Sequence, residues 1–307
     1  MNKPLKGFIT YSHEDTEAKK ELRKRLAVME QQNELVTWDD GQLTPGDEAL
    51  QEDILKKVVD SDMLLYLVSA ASLASKNCNK ELAEAISGDK RGIPIILEHC
   101  DWLYHQLSNF EVLPDKGKPL TKWDDRSEGW QNVVSGIRSA INRIRLEVVL
   151  TKVIFVVEWL SGEGSDEVIF EGEGVTRYPD CMVLTQKFEE YGRTYYENYT
   201  LLTQHAVEGN RYIFVPLAQW GGGSGVFLDL NVVDKKTLRT VDEIALGDRT
   251  DVRDVVLADA HSETVTITYI EREVKGIKDD YKIVYDPKKA IKRHFRMIQG
   301  TLQEMEP

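Results

Sequence analysis

The sequence predicts an α/β region built on a doubly wound parallel sheet, followed by a mainly antiparallel β region that ends in a C-terminal helix. Three observations lead there. Strand-like and helix-like segments alternate through the first half of the 307 residues. Met63–Val68 (MLLYLV) is short and apolar throughout, as a strand covered on both faces must be. Beyond Glu147 period-two segments take over; in the clearest, Val265, Ile267 and Tyr269 alternate with Thr264, Thr266 and Thr268.

In order, Gly7–Tyr11 reads as a strand and Thr16–Gln32 as a helix with Leu22, Leu26 and Met29 on its apolar side. Leu35–Trp38 is a strand, and Asp39–Asp47, with Gly41, Pro45 and Gly46, a loop. Glu48–Ser61 and Leu73–Ser87 are helices flanking the Met63–Val68 strand. Ile93–Leu97 is a buried strand, Leu120–Lys122 a short one, and Ser127–Glu147 a helix with Val133, Ile137, Ile141 and Ile144 inward. This alternation belongs to a doubly wound sheet. The second half gives strands near residues 153–159, 181–188, 212–217, 225–233, 240–246, 252–258, 263–271 and 281–285. Pro287–Gln303 reads as a basic helix carrying Lys288, Lys289, Lys292, Arg293, His294 and Arg296, with Ile291 and Phe295 inward. Domains are expected at 1–147 and 148–307.

With 41% hydrophobic and 30% charged residues the chain can bury a core. A net charge of −13 argues against nucleic acid as a partner. Cys78, Cys100 and Cys181 form no C-x-x-C pair, which argues against a disulfide framework or structural zinc and suits a reducing cytoplasm. No signal-peptide core or membrane-spanning run is visible, so no membrane contact is expected.

Several segments, in order, resemble TIR (Toll/interleukin-1 receptor-like) domains: Phe8-Ile9-Thr10-Tyr11-Ser12-His13, Trp38-Asp39-Asp40 through Leu43-Thr44-Pro45-Gly46-Asp47, and Cys78-Asn79-Lys80-Glu81-Leu82. Pro94-Ile95-Ile96-Leu97, Cys100-Asp101-Trp102 and Gly117-Lys118-Pro119 are similar to the bacterial branch. The resemblance covers about half the chain and implies a flavodoxin-like parallel sheet. It also implies cleavage of the nicotinamide–ribose bond of NAD⁺, taken as substrate rather than cofactor, with no metal, and self-association through TIR domains. Glu81 stands where the family carries its catalytic glutamate. The sequence departs from well-known NAD⁺-cleaving members at Asn77 and Ala49, where those often have tryptophan.

The chemistry suits one carboxylate. The pyridinium nitrogen already bears positive charge, so nicotinamide leaves neutral without a general acid, and a carboxylate need only stabilise the oxocarbenium-like ribose. Asn77 and Cys78 lie one turn before Glu81 and Glu84 one turn after, all candidates for the same helix side. Tyr11, Ser12 and His13 follow the first strand, at the edge where open α/β sheets bind ligands. Trp38, Asp39, Asp40, Pro45 and Gly46 bound the other wall, with Trp38 read as a packing residue ahead of a stacking platform. The Gly221–Gly225 run lacks phosphate-loop spacing and reads as a turn.

Three functions therefore compete: an NAD⁺ glycohydrolase activated by oligomerisation in bacterial antiphage defence, releasing linear or cyclic ADP-ribose; a non-catalytic TIR adaptor; and a virulence factor acting on host TIR signalling. The β-rich half is expected to be a sensor or assembly module for an unidentified trigger.

Overall fold

The computed structural model describes residues 3–42, 51–158, 164–190, 192–221, 225–259, 261, 263–275 and 282–305. The chain divides into two units, Met1–Ile144 and Arg145–Pro307.

In the first unit β1 (Leu5–Thr10), α1 (Thr16–Gln31), β2 (Leu35–Trp38), α2 (Gln51–Val59), β3 (Met63–Val68), α3 (Ala70–Ala74), α4 (Lys76–Ser87), β4 (Arg91–Ile96) and α5 (Arg126–Leu150), whose residues from Arg145 on belong to the second unit, follow one another. The strands form a parallel sheet in the order β2-β1-β3-β4. Alternation along each strand feeds two cores. Ile9, Leu65, Leu67, Ile93 and Ile95 pack with Leu22, Leu26 and Met29 of α1 and Val133, Ile137 and Ile141 of α5. Phe8, Leu64, Tyr66, Val68 and Ile96 pack with Val58 of α2 and Cys78, Leu82 and Ala85 of α4. All six residues of β3 are buried, which is why that strand shows no alternation in sequence.

Two details correct the sequence reading. Leu120–Lys122 is a 3-10 turn rather than a strand. The sheet edge beyond β4 is instead met at Leu113, whose backbone bonds Ile96 N at 2.7 Å and Pro94 O at 2.8 Å. Pro114 and Pro119 lack the N–H that a fifth strand would need to extend this pairing. The expected helix over 73–87 is broken at Ser75, whose extended backbone restarts the chain and whose hydroxyl accepts from Cys78 N at 3.3 Å. The restart aligns Cys78, Glu81, Leu82 and Ala85 as one buried stripe.

The described residues of the second unit are mostly strand. β5 (Phe155–Glu158) pairs β6 (Ser165–Val168). β7 (Val175–Arg177), β8 (Met182–Glu190), β9 (Arg193–Leu201), β10 (Val207–Glu208), β11 (Tyr212–Gly221), β12 (Val226–Asp234) and β13 (Arg239–Asp248) form one antiparallel sheet, ordered β13-β12-β11-β9-β8-β7 with β10 on β11. β14 (Asp251–Asp259) and β15 (Thr264–Ile270) lead into a second sheet; β16 (Glu273–Lys275) and β17 (Lys282–Val284) pair apart from it. β18 (Ile291–Ile298) and β19 (Thr301–Met305) complete the order β14-β15-β18-β19. Phe214, Leu230 and Val232 of the larger sheet pack against Val265, Ile267 and Phe295 of the smaller. The larger sheet's other face, through Ile213, Val215 and Tyr199, packs on Leu150, Phe155 and Phe170.

The expected C-terminal helix is therefore absent. Residues 291–298 pair with β15 and then turn back through Gln299 (φ 53°) and Gly300 (φ 90°) into β19. Two consecutive positive φ values make a tight hairpin turn, which a helix cannot contain and which glycine eases. Ile291 and Phe295 lie four apart, a spacing that satisfies one helical turn and two strand repeats alike.

Candidate active site

The route from β1 out to β2, and then back across to β3 on the other side, makes the carboxyl ends of β1 and β3 a topological switch point, where open α/β sheets leave a crevice. Three connections meet there. After β1, Ser12 opens a 3-10 turn over His13–Asp15, with Asp15 N bonded to Ser12 O at 2.7 Å. After β3, Ser69 caps α3 and donates its hydroxyl to Asp15 Oδ2 at 2.6 Å, tying the two connections together. After β2 come Asp39 and Asp40. The helix following β3 and its cap, α4, supplies Glu81.

Glu81 is only 7% exposed. Burial pushes its carboxyl up to about 7, Thr10 partly opposes this, and the charge of Asp40 adds to it. The Thr10 hydroxyl lies close enough to favour the ionised form, yet it makes no hydrogen bond of good geometry. Among the described residues no cation pairs with Glu81. A surface helix glutamate paired with lysine, the ordinary arrangement, is thus not what stands here. A carboxyl held near neutrality by burial, at a ligand-binding sheet edge, has the character of a functional group.

The surroundings sort the residues singled out in the sequence. Tyr11 is half-buried; burial, its hydrogen bond to Asp40 and the charges of Asp40, Asp39 and Glu81 keep its phenol neutral well above the usual range. Cys78 is buried, donates to Tyr11 O at 3.3 Å, and is pushed up to about 11, so its thiol is protonated and inert. His13 is exposed and lies 3.9 Å from Asp40 Oδ2. Ser12 spends its hydroxyl on Glu14 N at 3.4 Å. Asn77 is exposed at the start of α4. Trp38 packs on Phe8, with ring centroids 5.3 Å apart, against the Leu64 and Tyr66 side of the sheet. Pro45 and Gly46 lie outside the described residues.

Glu84 does not join this cluster. It faces a groove on the other side of α4, beside Glu52, Leu55, Lys56, Val59 and Asp60 of α2 and its end.

The two neighbouring aspartates divide their roles. Asp39 has no exposed surface and is held by Lys19 at 2.8 Å, by Arg23, and by Gly41 N at 3.0 Å. A Cβ at Gly41 would fall 2.8 Å from Asp39 Oδ1 and 3.3 Å from the Tyr11 hydroxyl, so this approach requires glycine. Asp39 is thereby fully engaged in holding the loop to α1. Asp40, which the sequence placed on the same wall without a role of its own, receives the Tyr11 hydroxyl, and its buried Oδ1 has no partner among the described residues. The consecutive acids Asp39-Asp40 were the only sequence signal for it, and nothing in that dipeptide says which faces inward.

The fold and this edge define an α/β domain of the ligand-binding, doubly wound class. A family model for the TIR domain matches residues 8–139, and this segment of the chain is a TIR domain. The uncharacterized protein y4lF of Sinorhizobium fredii (strain NBRC 101917 / NGR234) is 34% identical over 146 residues, covering 45% of this chain and 44% of that protein. The chain thus spans less than half the length of this curated relative. Among solved structures, the TIR domain of the Toll-related receptor TRR-2 from Hydra magnipapillata is 21% identical over 43% of this chain and 97% of its own, with a TM-score of 0.31.

No described helix is long and apolar enough to cross a membrane. Among the described residues no group of three or more His, Cys, Asp or Glu side chains could hold a metal ion.

Proposed function

We propose that the TIR unit is an NAD⁺ glycohydrolase in which Glu81 is the catalytic carboxylate. The observation that carries this is a single one: a buried glutamate, without a cation among the described residues, at the switch-point edge of a parallel sheet. As the nicotinamide–ribose bond opens, the bonding electrons pass to the pyridinium nitrogen and nicotinamide leaves neutral. The ionised Glu81 faces the ribose and stabilises its oxocarbenium character. Water then adds at the anomeric carbon and loses a proton, giving ADP-ribose; attack by the adenine ring instead gives a cyclic product. Asp40, with Tyr11 bound to it, is the second acid of the site and the group that tunes Glu81.

Because Glu81 is nearly sealed in this conformation, substrate entry needs the site to open. Self-association of TIR units is the event we assign to that opening, with the β-rich unit as the module that brings it about. Loss of cellular NAD⁺ on activation would halt growth, which suits an effector of antiviral defence.

The test is nicotinamide release from NAD⁺ by concentrated full-length protein beside Glu81→Gln. Release by the wild type and none by a folded Glu81→Gln is the expected result. Release surviving in that variant removes Glu81 from the mechanism. An oligomerised wild type that leaves NAD⁺ intact turns the reading toward an adaptor.

A further inference from the structure

The β-rich unit contains a cavity of about 530 Å³ lined by Arg211, Tyr212, His261, Glu263, Arg296 and Met297. This volume is within the range of small-molecule sites. Arg211 and Tyr212 come from the start of β11, His261 and Glu263 from just before β15, and Arg296 and Met297 from β18.

Arg211 is oriented from three sides. Its Nε donates to Asp234 Oδ2 at 2.8 Å; that carboxylate is itself buried, its other oxygen accepting from Lys236 N at 2.8 Å and Thr237 N at 3.3 Å. The guanidinium lies 5.0 Å from the centre of the Tyr212 ring. Its backbone N–H is gripped by Glu263 Oε1 at 2.5 Å. Only Nε of this side chain is used, so the two terminal nitrogens of a fixed fork stay available among the described residues. Arg296 is exposed and has no ion pair among the described residues, whereas Arg293 on the same strand is bound to Glu304 at 2.8 Å. In a chain of net charge −13, two guanidiniums with open donors at one cavity run against the general charge.

We propose that this cavity binds a small phosphate ester. Two guanidiniums offer more N–H donors than the two oxygens of a carboxylate accept, and the oxygens of a phosphoryl group match them better. Met297, half-buried beside Tyr212, gives the organic part of the ester an apolar wall that free phosphate would not use. Arg211 and Arg296 contact the ligand, and Glu263 and Asp234 are positioning residues that set Arg211. The site belongs to the β-rich unit alone, so it stands or falls apart from NAD⁺ cleavage.

The experiment is calorimetric titration and thermal shift of the full chain with ribose 5-phosphate and 5′-AMP, against ribose and adenosine. Both phosphate esters are expected to bind and raise the melting temperature, and the two unphosphorylated probes to do neither. Arg296→Ala and Arg211→Met should each raise Kd by about tenfold or more, the equivalent of one good charge-assisted contact. Arg296 makes no ion pair among the described residues, so its variant reports on the site even if Arg211→Met disturbs Asp234. The proposal is overturned if neither ester binds at millimolar concentration, if adenosine binds as well as 5′-AMP, or if binding is unchanged in a folded Arg296→Ala.

Discussion

Among the described residues each unit buries one glutamate, and the two are buried in different ways. Glu81 is 7% exposed and reaches its place on the helix that follows a central parallel strand; the neighbouring Thr10 hydroxyl makes no hydrogen bond of good geometry to it among the described residues. Glu263 is 8% exposed and adopts a positive φ of 49°, and it grips the backbone of Arg211 across 52 residues of sequence. The first is a carboxyl left poorly compensated, as the proposed chemistry requires. The second is a carboxylate used as a clamp. Burial alone therefore says little about function; what the carboxyl is bonded to decides it.

The largest expected effect is on turnover. Glu81→Gln keeps the shape and removes the charge that faces the ribose in the proposed reaction, so nicotinamide release should fall by about a thousandfold, the scale of losing one preorganised electrostatic contact.

Next in size is the loop that holds Tyr11. Asp39→Asn leaves Lys19 and Arg23 without their buried counter-charge and should cost about 3 kcal/mol of unfolding free energy in denaturant titration. An unchanged midpoint would show that Asp39 does not anchor the loop.

Comparable in size is the pH dependence. The Glu81 carboxyl titrates about 7 in the folded chain against 4.5 ordinarily, so over that window the folded state holds a proton that the unfolded state has lost. Stability from this group must fall as pH rises through the window, by about 3 kcal/mol. Glu81→Gln lacks the group, so it should melt with the wild type at pH 4 and above it at pH 8. A variant that melts below the wild type at pH 8 would break the argument. Turnover moves the other way, rising with pH as Glu81 ionises.

The smallest effect belongs to Asp40. Asp40→Asn removes a charge that raises the Glu81 carboxyl, so the acid limb of the rate profile should shift to lower pH with little change in melting temperature. A shift to higher pH would mean that Asp40 acts on Glu81 by some route other than its charge.

Much of the first unit was legible because its signals are local. MLLYLV, short and apolar throughout, reads as a covered strand, and Leu22, Leu26 and Met29 as one side of a helix, and both are found so. Glu81 was singled out through family resemblance; its spacing alone would have left it an ordinary surface residue, and its burial came only with the fold. The choice between Asp39 and Asp40 was not legible, because it depends on Lys19 and Arg23 arriving from α1. The tail misled for a related reason: a separation of four between Ile291 and Phe295 fits either periodicity, and only pairing with β15 resolves it. The cavity at Arg211 had no sequence signature, since its walls come from segments as far apart as residues 211 and 296.

The seal over Glu81 also sets a proton stoichiometry. Near pH 7 the covered carboxyl is about half protonated, whereas the same group in contact with water is almost wholly ionised. Opening the site must therefore release a fraction of a proton for each TIR unit. Calorimetric heats of activation should then depend on the ionisation enthalpy of the buffer, and the dependence should vanish in Glu81→Gln. Uncovering and charging are thus coupled, so the site attains its full negative charge only when it can be reached.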